Sequence, residues 1–187
     1  MSKNGLPSGG NVENSDDAPL IMTAQLSRDV GAWATGLRRA HFPRKQNFLD
    51  AHVTLFHALP PFALEEVKGC CAVLAGQYGP VDARVTGVMN LGGGTAIKVE
   101  SEGMDRIRDE LQNRFHGLLT QQDQGGKKLH ITIQNKVSNN RASAVQEEIE
   151  KVLKPRDFQF PALELHRYRG GPWELVQTYA FRGLSRA

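Results

Sequence analysis

The chain has 187 residues, 40% of them hydrophobic and 23% charged, enough for one domain with a sizeable core or two small lobes sharing one. Its net charge of +3 and pI near 9.0 suit an anionic ligand, but they are too small to indicate nucleic-acid binding by themselves. No apolar run approaches a membrane span and Met1–Pro19 lacks a signal-peptide core, so a cytoplasmic protein with no membrane partner is expected.

Met1–Ala18 is rich in Ser, Gly, Asn and Asp and has little to bury, so it reads as a disordered tail before a single domain over 19–183. Pro19–Leu26 reads as a strand. Ser27 can cap a helix with Asp29 in its first turn and with Val30, Trp33, Leu37 and Ala40 on one face. A basic loop, His41–Asp50, leads to an apolar strand, Ala51–Leu59, which Pro60 and Pro61 end. Leu64, Val67, Cys71 and Leu74 then mark a helix, whose adjacent Cys70 and Cys71 have poor geometry for a mutual disulfide. Val81–Val88 and Thr95–Glu100 read as strands joined at Gly92-Gly93-Gly94, a hairpin turn without the lysine of a phosphate loop.

The same order returns in the second half. Met104, Ile107, Leu111, Phe115 and Leu118 form a helical stripe, and Gln121–Lys128 is a polar loop ahead of a second apolar strand, Leu129–Val137. A helix capped by Ser138 or Asn140, with Val145, Ile149 and Val152 inward, stops at Pro155. Phe158–Tyr168 and Trp173–Phe181 are two further strands joined at Gly170-Gly171-Pro172.

The two apolar strands carry His52-Val53-Thr54-Leu55 and His130-Ile131-Thr132-Ile133. On a strand, alternate side chains share a face, so each His and Thr project together about 6.6 Å apart while their neighbours point into a core. With 6 His and 8 Thr in the chain, chance gives about 0.26 His-x-Thr triplets, and two copies with apolar residues in both flanking slots arise in roughly one chain in a thousand. The copies also hold equivalent places. Leu20 to His52 is 32 residues and Ala96 to His130 is 34, while His52 to Val81 is 29 and His130 to Phe158 is 28. Each half therefore runs strand, helix, motif strand, helix, strand.

These motifs resemble the signature of the 2H phosphoesterase superfamily, and the chain is similar to its bacterial 2′-5′ RNA ligase and cyclic phosphodiesterase branch. The resemblance spans about Pro19 to Gly183 and implies an α+β fold. In it two pseudo-symmetric lobes, about 19–90 and 94–183 with strand exchange allowed between them, present antiparallel-rich sheets to a central cleft and carry helices outside. It implies a monomeric, metal-independent enzyme without a cofactor, whose partners are RNA 2′,3′-cyclic phosphate ends or cyclic nucleotides. His52 and His130 would be the catalytic acid and base, in an order left open, and Thr54 and Thr132 would hold the phosphate.

Strand alternation adds Phe56 and Gln134 as candidate substrate contacts, and Tyr168, Arg169 and Trp173 bracket a turn from which they could stack on a base or touch a phosphate. The motif neighbourhoods offer no paired carboxylates or His-x-His, so no metal site is expected. The alternative to an enzyme is a non-catalytic RNA or nucleotide-binding module of the same fold.

Overall fold

β-branched and aromatic residues recur along the apolar runs, and the strands they form pair into one antiparallel sheet. The structure, a computed structural model, describes residues 17–125 and 128–184; the expected tail therefore lies almost wholly outside the described residues. The elements run β1 (Leu20–Ala24), α1 (Arg28–His41), β2 (Val53–Leu59), α2 (Leu64–Gln77), β3 (Val81–Asn90), β4 (Thr95–Glu100) and α3 (Glu102–Arg114). They continue with the one-turn α4 (Gln121–Gln124), β5 (His130–Gln134), α5 (Asn139–Val152), β6 (Arg156–Phe160), β7 (Ala162–Tyr168) and β8 (Trp173–Ala180).

The α+β architecture is a curled, eight-stranded half-barrel with strand order β6-β3-β4-β5-β2-β1-β7-β8. Its centre is the seam between the two motif strands, where the register holds a single pair, Val53 opposite Ile131. On one side lie β2-β1-β7-β8 and on the other β5-β4-β3-β6, so the two expected sheets are continuous through that one pair. The run expected as one strand over Phe158–Tyr168 is two. Proline lacks the amide hydrogen that a ladder needs, and at Pro161 the chain leaves β3, the partner of β6, for β1, the partner of β7.

The helices pack their apolar stripes on a core built around Leu20, Met22, Leu55, Ile97, Ile107, Leu111 and Ile131. Ser101 and Ser138 cap α3 and α5 by accepting from the amides of Met104 and Arg141, which settles the α5 cap on Ser138. Ser27 makes no such cap and donates instead to Asp29. Two stripes differ from the expected ones. Val152 is 72% exposed, with the neighbouring Leu153 packed on the core in its stead. In α1 the buried line is Val30, Ala34 and Arg38, while Ala40 is exposed. A hydrophobic pattern could not show this rotation, because it turns on an arginine that is buried by its hydrogen bonds. Cys70 and Cys71 are buried free thiols of α2. Among the described residues no helix is long and apolar enough to cross a membrane.

Candidate active site

The Val53–Ile131 pair decides the geometry of the seam. In an antiparallel register it sets position 52 opposite 132 and 54 opposite 130, so the histidine of each motif faces the threonine of the other. Directly opposed residues share a face. All four are half-buried, whereas Val53, Leu55, Ile131 and Ile133 are buried on the reverse side. The row continues outward, with Lys98 opposite His130 on β4 and Thr23 opposite Thr54 on β1.

The two imidazoles are oriented alike. His52 Nδ1 lies 2.8 Å from the Asp50 carbonyl, and His130 Nδ1 lies 2.8 Å from the Lys128 carbonyl. A carbonyl only accepts, so Nδ1 carries the hydrogen in both rings and Nε2 is left to take or give a proton. Burial lowers the pKa of His52 to about 4, against a smaller upward effect of the bond to Asp50; the nearby Arg38 and His166 push it down and Glu164 pushes it up. His52 is therefore neutral at pH 7 in the free protein.

Phe56 and Gln134, expected on this face, are not on it. Both are fully buried, and for the same reason. The register steps from Thr23–Thr54 to Met22–Phe56 on one side and from Ala96–Thr132 to Thr95–Gln134 on the other. Each motif strand thus carries one extra residue, Leu55 or Ile133, directly after its threonine. Such a bulge inverts the alternation beyond it. Phe56 turns inward, with the Arg108 guanidinium 5.3 Å from its ring centroid. Gln134 meets the Thr95 hydroxyl at 3.4 Å and the His41 carbonyl at 3.5 Å.

Of the three candidates near the last turn, Trp173 reaches the site, its ring centroid 4.6 Å from that of His52. Arg169 is tied across the hairpin to Glu174, with Nε 2.6 Å from Oε2. Tyr168 is 43% exposed at the end of β7.

Several residues that surround the site carry no motif in the sequence. His166 on β7 lies beside Trp173, with ring centroids 5.6 Å apart; its Nε2 is 3.2 Å from the Thr23 hydroxyl and 3.6 Å from Glu164. Two buried arginines brace the seam. Arg38 of α1 donates to the carbonyls of Leu49, before motif one, and Thr132, within motif two. Arg108 of α3 donates to the carbonyls of Asp123 and Gly125, before motif two, and covers Phe56, just beyond motif one. Asp123, fully buried, accepts from the backbone amides of His57 and Ala58 where β2 parts from β5. Burial pushes its carboxyl up, but the bonds from the His57 ring and these amides outweigh it and hold the group well below the usual carboxylate range. A surface recess of about 600 Å³ beside Asp82, Arg84, Glu100 and Asp157 contains none of the motif residues.

Solved structures share this fold across most of the chain. One titled TT0787, from Thermus thermophilus, is 19% identical with a TM-score of 0.63, covering 89% of this chain and 100% of its own. E. coli LigT complexed with 3′-AMP is 15% identical with a TM-score of 0.58, covering 88% of this chain and 98% of its own; the same protein complexed with NADP⁺ gives 14% and 0.57, with the same coverage. At such identities the likeness shows a shared fold, that of LigT and TT0787. A model of the 2′-5′ RNA ligase superfamily matches residues 26–172, and the chain belongs to that family. Membership makes it a protein of phosphoesterase or ligase type. No curated protein matches it.

Proposed function

We propose that the protein acts on 2′,3′-cyclic phosphate ends of RNA or nucleotides, opening them with water to a 2′-phosphate or with a 5′-hydroxyl to a 2′-5′ bond, the latter reversibly. The observation that carries this reading is the seam itself. Two histidines and two threonines share one face of the seam, with both imidazoles held in the same tautomer by a carbonyl two residues earlier. The nucleotides bound by E. coli LigT support a ribonucleotide as the substrate.

In hydrolysis one imidazole takes a proton from water as its oxygen bonds to phosphorus. The P–O3′ bond breaks, and the other imidazole protonates the departing 3′-oxygen. Each transfer contributes on the order of 10² to 10⁴ in rate. Thr54 and Thr132 donate hydrogen bonds to the non-bridging oxygens, while Lys98, one strand beyond His130, is paired with Glu100 at 2.6 Å. In ligation the 5′-hydroxyl attacks in place of water, giving up its proton to the same base while the same acid protonates the departing 3′-oxygen, and the reaction needs neither ATP nor metal.

The test is turnover of a nucleoside 2′,3′-cyclic phosphate with chelator present. His52→Ala and His130→Ala should each lose at least about 100-fold in kcat while remaining folded. A substrate whose 3′-oxygen is replaced by sulfur leaves without protonation, so it should rescue only the variant that lacks the acid and thereby identify that residue. Tight binding without turnover by the unaltered protein would favour the non-catalytic module. Full activity in either histidine variant would overturn the two-histidine mechanism.

A further inference from the structure

The mechanism above leaves a third histidine of the same face without a task. His166 is only 14% exposed at its side chain and is held on two sides. Thr23 Oγ1 is 3.2 Å from its Nε2, and Glu164, whose other oxygen accepts from Gln25 at 2.8 Å, lies 3.6 Å away. Its ring meets Trp173 at 5.6 Å between centroids, tilted by 54°, and Trp173 meets His52 at 4.6 Å, tilted by 51°. The indole thus packs against two imidazoles, one fixed by the sheet and one belonging to the motif. Trp173 is the first residue of β8, directly after the Gly170-Gly171-Pro172 turn, where a large ring needs a side support to hold one orientation.

We propose that His166, anchored by Thr23 and Glu164, is a positioning residue that holds the Trp173 indole against His52, keeping that imidazole aimed at the phosphate and shielded from water. The inference rests on the proposed role of His52 but names a different residue and a different effect. Tilted ring pairs of this kind are favourable arrangements in their own right, so the stack has a defined geometry. An indole over an imidazole also removes water from it, which accords with the burial that depresses the pKa of His52. The charged and titratable groups facing His52 are Arg38 from α1 and Glu164 and His166 from β7, together with the Asp50 carbonyl bonded to its Nδ1.

Three readings test this in the full chain carrying Trp33→Phe, which leaves Trp173 as the only tryptophan. In His166→Ala, Trp173 emission should move to longer wavelength and become easier to quench with acrylamide. By NMR, the pKa of His52 should rise by about one unit or more towards its ordinary value near 6.5. Against a cyclic nucleotide, kcat should fall by about ten- to a hundred-fold with KM little changed, because the loss is one of orientation. Thr23→Val, which keeps the shape and removes the hydroxyl, should move all three the same way by less, and it serves in place of His166→Ala if that variant fails to fold. Unchanged Trp173 emission and His52 titration in a folded variant would overturn the proposal, as would a loss confined to KM. If the unaltered protein turns over no cyclic phosphate, the activity reading fails with the proposed function, while emission and titration still decide the role of His166.

Discussion

Replacing Asp123 by Asn keeps the side chain's size while turning one of its two acceptor oxygens into a donor. Both oxygens are in use. Oδ1 and Oδ2 each lie 3.0 Å from the His57 amide, Oδ2 also accepts from Ala58 at 3.0 Å, and Oδ1 meets His57 Nδ1 at 3.1 Å. An amide NH₂ at the Oδ2 place takes the acceptor of the Ala58 amide, and one at the Oδ1 place takes the acceptor of the His57 ring, so in either orientation a donor loses its partner. That loss costs about 1 to 3 kcal/mol, and the charge-assisted character of the remaining bonds adds to it. We expect a destabilisation of about 3 kcal/mol at pH 7, a large share of the roughly 5 to 15 kcal/mol of a typical domain. Thermal unfolding should show it as a fall in Tm of roughly 6 to 12 °C for a chain of this size. The pH dependence supplies an internal check. A carboxyl whose folded pKa is depressed contributes stability that is fully present above its unfolded value of about 3.9 and is lost as pH falls through the lower folded one. The gap between Asp123→Asn and the unaltered protein should therefore begin to narrow below about pH 4 and go on narrowing as the pH falls further. A Tm change under about 3 °C at pH 7, or a gap that does not narrow in acid, would refute the reasoning.

Thr54→Val and Thr132→Val should each lose about 1.5 to 3 kcal/mol of transition-state stabilisation, read as kcat/KM on a cyclic phosphate; unchanged values in both would make the hydroxyls structural. His52 titrates in the opposite chemical sense to a carboxylate, but its effect has the same sign. The unfolded chain takes up its proton at about pH 6.5 and the folded one only at about 4, so stability should drain away as pH falls between those values, by at most about 3 kcal/mol. Urea unfolding of His52→Gln should show a flatter slope across that window, and an equal slope would show that His52 titrates normally. Basic residues gather near the motif loops and the last turn, at Arg44, Lys45, Lys127, Lys128, Arg167 and Arg169, of which Lys127 lies outside the described residues. A cyclic-ended RNA oligomer should then be processed better than the mononucleotide at low salt, with the advantage shrinking as salt rises; equal kcat/KM at both salts would point to a small nucleotide as substrate.

The motif strands, the helices and the repeat are legible in the sequence because each rests on a local period, two for strands and 3.6 for helices. What escapes the sequence is every feature that depends on which strand lies next to which. Phe56 and Gln134 follow the alternation faithfully until a bulge that only the partner strand can reveal. Arg38 looks like a polar residue of a helix surface, yet three bonds to Leu49, Thr132 and Asn47 justify its burial. His166 has no motif to flag it, and its partner Thr23 is 143 residues away along the chain. Pro161 is the one signal already present locally, since a proline within an apparent strand marks a place where pairing changes.

The strand order also sets a timetable. β1 lies between β2, its near neighbour in sequence, and β7, which follows it only after β3 to β6 have been made. The β5-β4-β3-β6 side of the sheet uses strands from one continuous stretch of chain, so it can assemble while synthesis continues. The other side must wait. Until the final strands emerge, β1 exposes an unpaired edge bearing Leu20, Met22 and Ala24, all of which end fully buried. Open apolar edges invite pairing with other chains, and closing contacts over such long separations is slow. A ribosome stalled after β6 would therefore release a species that holds both histidines but lacks the surface that shelters one of them, and this species should be the most aggregation-prone stage in the protein's biogenesis.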